Sequence, residues 1–142
     1  MQLSLFSTSS KKENAPMSQR DAFVHFFQLM DLEMIDLILE RDRYMDLPKA
    51  EFIRRLSRAF ELFKGYSDDS LFETYGTCLG KGCENYLSRA IEFVGNRSSY
   101  RISFVIVVRR GQILDISECA RFRNPEKLIL NRKMIVLSYM KE

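Results

Sequence analysis

Four groups of side chains in this 142-residue chain have types and spacings that can do chemistry: an acid among apolar neighbours, a cysteine pair, a lone histidine and an arginine cluster. Glu118 falls in the alternating run Leu114, Ile116, Ala120 and Phe122, where it is the only acid on an otherwise apolar strand face. An unpaired carboxylate there is costly, so it must be neutral or have a partner. Arg89, alternating with Leu87, Ile91 and Phe93, is the base that faces the same way two strands off. Such a pair lining a pocket would bind or protonate a small ligand. The bland alternatives are a structural ion pair or a wetted opening.

Cys78 and Cys83 flank Leu79-Gly-Lys-Gly82. Across an antiparallel turn they fall opposite each other, about 5 Å apart at Cβ. That spacing suits a redox dithiol or half of a zinc site. Zinc wants four ligands, commonly two close pairs, and Cys119 lies roughly 26 Å along the sheet at about 3.3 Å per residue. His25 falls on the polar face of a helix and makes a poor ligand or catalytic base. We therefore expect reduced thiols, no metal and no cofactor. Gly80-Lys-Gly82 lacks the spacing of a phosphate loop and reads as a turn. Arg54, Arg55 and Arg58 have Glu51 and Glu61 three or four residues away, so helix-surface pairing accounts for them.

Composition narrows the classes. The chain is 46% hydrophobic and 29% charged, a globular profile that needs no disulfide staple. Net charge is +3 with a pI near 8.8, too mild for a nucleic-acid binder. No apolar run is long enough for a membrane span. Residues 1–17 lack the features of an export signal and read as a polar tail, which makes the expected compartment the cytoplasm.

The elements that must position these groups follow from periodicity. Ser18-Gln-Arg-Asp21 has capping-box spacing and opens a helix over about 19–30, with Phe23, Phe26, Phe27 and Met30 on one stripe. Asp31 caps a second over about 32–41. Pro48 begins a third, and Gly65 is placed to end it in the left-handed conformation. After residue 70 strand patterns take over, at about 71–79, 85–95, 99–109 and 112–122. Helices followed by an antiparallel meander make an α+β layout.

Register decides where Glu118 points. A two-residue loop at Arg110-Gly111 would set Phe104 against Ser117 and Ile106 against Asp115. A three-residue loop pairs even positions with even ones and keeps the apolar set together, so it is preferred. Val105, Val107 and Ile113 then lie outward between Arg101, Arg109 and Arg121. An apolar centre rimmed by charge suits an interface core, here a homodimer through the outer sheet face.

Three amino-terminal helices, then Phe93-Val-Gly-Asn96, a long apolar strand and Gly111-Gln-Ile-Leu-Asp-Ile-Ser-Glu-Cys119, resemble the nuclear-transport-factor-like superfamily, the cystatin-like cones that include ketosteroid isomerase. The resemblance covers about residues 18–123. It implies a strongly curved sheet wrapped around the helices, an internal pocket and frequent dimerisation. It also suggests Tyr44, Asp46 and Tyr75 near the cone mouth, where Tyr plus Asp suits proton transfer beside a carbonyl. No set of positions matches the superfamily's catalytic constellation one for one, so no catalytic residue is carried over. Residues 124–142, with Lys127-Leu-Ile-Leu130 and Met134-Ile-Val-Leu137, form an extension expected to pack on the domain as helix or strand. The expected role is a non-catalytic domain that binds a small ligand or partner. The alternatives are a cofactor-free lyase or isomerase working inside the cone, and a thiol redox sensor using Cys78 and Cys83.

Overall fold

A computed structural model of the chain describes residues 17–75, 90–118 and 133–140. Ser18 caps α1 (Gln19–Gln28) by accepting from the Asp21 amide at 3.1 Å. The helix ends in a Schellman motif: Met30 takes φ 54°, its amide bonds Phe27 O and the Asp31 amide bonds Phe26 O. Asp31 then caps α2 (Leu32–Ile38) by accepting from Met34 N at 3.2 Å, so one residue closes one helix and opens the next.

A short hairpin, β1 (Arg43–Tyr44) and β2 (Leu47–Pro48), precedes α3. Its two turn residues, Met45 and Asp46, both have φ 59°, the type I′ pattern. Helix α3 runs over Lys49–Gly65. Gly65 is its last helical residue and not its left-handed stop. Ser67 (φ 74°) takes that place, with Ser67 N on Lys64 O and Asp68 N on Phe63 O. The helix thus overruns its glycine because a second Schellman closure is available two residues later.

The main sheet is an antiparallel meander in the order β3 (Leu71–Tyr75), β4 (Ala90–Gly95), β5 (Arg101–Arg109) and β6 (Gln112–Ser117). Ile91, Phe93, Ile102, Phe104, Ile106 and Ile116 join the helices in one core. Phe27 sits at its centre, stacked on Phe93 at 4.3 Å and edge-on to Phe60 and Phe104 at 4.9 and 5.4 Å. Among the described residues, Phe23, Phe27, Phe60, Phe93 and Phe104 bring their rings together between helices and sheet.

The β5–β6 register combines the two alternatives. Arg110 (φ 54°) and Gly111 (φ 80°) form a two-residue turn, pairing Arg109 with Gln112 and Val108 with Ile113. A bulge between Val107 and Val108 then shifts the ladder, so Ile106 faces Ile116 and Val105 faces Ser117. The turn chemistry wins locally and apolar patterning wins beyond it. One consequence corrects the outward placement of Ile113: it is 1% exposed, in the core. Leu114 is correspondingly only half-buried.

Residues 133–140 return to the sheet. Met134 forms a parallel bridge to Arg101, at the end of β5 that the β6 ladder does not reach. Arg101 N bonds Lys133 O at 2.9 Å, and Ile135 N bonds Arg101 O at 2.8 Å. A single 3-10 turn, Leu137–Tyr139, follows.

Candidate functional site

Glu118 is buried, at 3% exposure, one residue beyond β6. Its Oε2 accepts from the Leu137 amide at 2.6 Å; its Oε1 accepts from the Ser138 amide at 3.1 Å and the Ser138 hydroxyl at 2.5 Å. The expectation that an acid here needs partners is met by backbone amides of the returning segment. Arg55 completes the arrangement from α3, donating Nη1 to Leu137 O at 3.0 Å while its Nε pairs with Glu51 at 2.8 Å. Arg54 also pairs with Glu51, and together the two guanidiniums, Arg55 foremost, hold the Glu51 carboxyl below its ordinary range. Helix-surface pairing therefore describes Arg54, whereas Arg55 is largely buried and binds another segment.

Of the other expected pocket residues, Tyr44 and Asp46 have their partners away from Glu118. Tyr44 is buried against Phe52, ring centroids 5.4 Å apart, and its hydroxyl accepts from the Arg41 amide at 2.9 Å. Burial pushes that hydroxyl above its usual pKa, against the pull of the Arg41 hydrogen bond. Asp46 is exposed in the hairpin turn, where its carbonyl accepts from Arg43 at 2.6 Å. Tyr75 closes β3 opposite Ile91. Arg89, Cys78 and Cys83 lie outside the described residues. On the outward sheet face Val105 is only 4% exposed within the single chain and Val107 is half-buried. Of the three residues assigned to a dimer face, Ile113 points inward and Val105 is covered.

Two carboxylates that the sequence reading passed over do positioning work. Asp115 accepts from Met45 N at 2.9 Å and ties the β1–β2 hairpin to β6. Asp68, 3% exposed, accepts from the amides of Arg97 and Ser98 at 2.7 and 2.8 Å and the Ser98 hydroxyl at 2.5 Å. Burial alone would raise its pKa. The Ser98 hydroxyl and amide, the Arg97 amide and the Arg97 charge outweigh that and hold it below the ordinary value. The signal for Asp68 was a pair of acids, Asp68-Asp69, directly after a helix end and before a strand, opposite a Gly-Asn-Arg-Ser turn.

An open groove of about 550 Å³ lies between the start of α1, α2 and the β5–β6 turn. Met17, Ala22, Met34, Leu37 and Ile38 supply its apolar lining, with Glu40, Arg110 and Gln112 among the polar residues. Gln19 fixes its geometry: Nε2 donates to Ile38 O at 2.7 Å and Oε1 accepts from Ile113 N at 2.5 Å. Arg20 N also bonds Gly111 O at 3.2 Å. Leu37 is 72% exposed at this site.

No family model, curated protein or solved structure matches this chain.

Proposed function

We propose that the chain is a non-catalytic binding domain of the nuclear-transport-factor-like cone type, and that it holds a small amphipathic molecule in the α1–α2 groove. The observation that carries this reading is the groove itself, which offers about 550 Å³ beside a core in which Phe27 stacks on Phe93. That volume is within the range of small-molecule sites, about 300–1,000 Å³. Two methionines and three aliphatic residues supply the apolar part of the lining, suiting a flexible apolar body. Arg110 offers a cation to an anionic head, with Glu40 the acid on the same lining. For the cone itself, support comes from the element order, the bulge in the β5–β6 ladder and the Asp115 bond joining the hairpin to β6. The acid–base alternative draws less support, because Glu118 is engaged with backbone amides and the Tyr44 hydroxyl is in the core.

Titration of the isotopically labelled protein with dodecanoate tests the reading. Saturable shifts are expected at the methyls of Met17, Met34 and Ile38. Arg110→Gln should weaken binding severalfold, and Leu37→Asp, at an exposed position, should abolish it without unfolding the chain. Shifts confined to other surfaces, or indifference to Leu37→Asp, would sink the proposal.

A further inference from the structure

Two tyrosines stand face to face where α3 gives way to the sheet. Tyr66, the residue after α3, and Tyr100, the residue before β5, have ring centroids 4.1 Å apart and planes 13° from parallel. Hydrogen bonding to Tyr100 is the leading cause that lifts the Tyr66 hydroxyl above its usual pKa, so the phenol ends lie together. Parallel rings with neighbouring hydroxyls bring the carbon ortho to one hydroxyl over its counterpart on the other ring. Tyr66 is 40% exposed and Tyr100 half-buried, so the pair is open to solutes. Tyr44, by contrast, is buried against a phenylalanine, and Tyr139, though exposed, stacks on no ring among the described residues.

The backbone under both rings is fixed. Tyr66 N bonds Leu62 O and Phe63 O at 3.1 and 3.0 Å. Tyr100 N bonds Ser98 Oγ at 3.0 Å, and its carbonyl accepts from Gly95 N at 2.8 Å. Asp68, just after Tyr66, accepts from the amide and hydroxyl of Ser98, just before Tyr100, so one carboxylate ties the two turns that carry the rings. Lys133 Nζ lies 5.9 Å from the Tyr100 centroid, a cation attracted to the ring face.

We propose that Tyr66 and Tyr100 are a site of oxidative cross-linking, at which a one-electron oxidant of the peroxidase type, drawing on hydrogen peroxide, joins them as dityrosine. Each phenol loses one electron and its hydroxyl proton. The two radicals couple through their ortho carbons, forming one C–C bond, and each of those carbons passes its hydrogen as a proton to its own ring oxygen, restoring two phenols. The pair gives up two electrons and two protons in all, which reduce one hydrogen peroxide to two waters. Stacking beforehand replaces a chance meeting of radicals with a step inside one molecule. The bond ties the end of α3 to the start of β5 and, like a disulfide, stabilises by restricting the unfolded chain. Neither tyrosine lines the α1–α2 groove, so the site stands independently of any ligand bound there.

Treating the full chain at low concentration with a haem peroxidase, and hydrogen peroxide in excess over its three cysteines, tests the proposal. The monomer should gain dityrosine fluorescence, and peptide mass spectrometry should find Tyr66 joined to Tyr100 with the loss of two hydrogens. Tyr66→Phe and Tyr100→Phe keep the rings and should each cut the monomer's fluorescence about fivefold or more, whereas Tyr139→Phe should leave it unchanged. The cross-linked chain should unfold at a higher urea concentration than Tyr66→Phe oxidised in parallel. If circular dichroism shows one variant unfolded the other serves, and the peptide spectrum needs neither. The proposal is overturned if the monomer gains no dityrosine while free tyrosine in the same mixture is converted, or if the bond joins other tyrosines or separate chains only. Fluorescence that survives in Tyr66→Phe and Tyr100→Phe, or a cross-linked chain no more resistant to urea, overturns it equally.

Discussion

Asp68 shows what a single buried carboxylate does for this protein. Three donors from one turn converge on it, and Gly95 makes the approach possible. A Cβ at position 95 would fall inside contact distance of the Asp68 carboxylate and 2.7 Å from Ser98 Oγ. Gly95→Ala should therefore cost about 2 kcal/mol or more, read from the urea midpoint, since the turn must move or the carboxylate lose its donors. The acid also predicts a pH response. Its pKa is lower folded than unfolded, so its stabilisation is complete above the unfolded value near ~3.9 and fades as pH falls through the folded value. Asp68→Asn should flatten the loss of stability as pH falls below about 4 while lowering stability at pH 7. At this scale the sequence was partly legible. That Glu118 needs partners followed from its position in an apolar alternation. Which partners it found did not, because 19 and 20 residues separate it from Leu137 and Ser138, and no local pattern records that contact.

At the scale of elements, helix ends and turns carry the local information. Ser18 and Asp31 were readable as caps because capping is decided within three residues, and both accept the expected amides. The end of α3 was misjudged because a glycine is only a preference for the left-handed position. Ser67, exposed, occupies it at φ 74°. Relieving that conformation with Ser67→Gly should stabilise the protein by about 0.5–1 kcal/mol, seen as a higher melting temperature. Gly111 is the opposite case. It needs φ 80°, and a Cβ there would lie 3.1 Å from Ser18 Cβ. Gly111→Ala should cost roughly 1–2 kcal/mol in chemical denaturation, disturbing both the turn and the start of α1. The β5–β6 ladder shows why register was hard to read. Turn type and apolar alternation favour different pairings, and a bulge satisfies both, an outcome visible only when both strands are in place.

On the scale of the whole molecule, the returning segment contributes to the core. Ile135, Val136 and Leu137 are buried, and burying each such side chain is worth about 1.5–3 kcal/mol. Ending the chain after residue 132 should lower unfolding free energy by about 4 kcal/mol or more by denaturant titration, well beyond the effect of any single cap. Among the described residues no helix is long and apolar enough to cross a membrane. By itself the sequence determined the α+β order, the caps, the core-facing stripes and the need of Glu118 for company, because propensity, periodicity and desolvation act over a few residues. Tertiary structure alone decided that rings from distant segments meet around Phe27, that Arg55 turns from helix surface to the Leu137 carbonyl, and that a groove lies beside α1 and α2. Those outcomes depend on how side-chain volumes from distant segments add up in one place, and no stretch of chain encodes that sum.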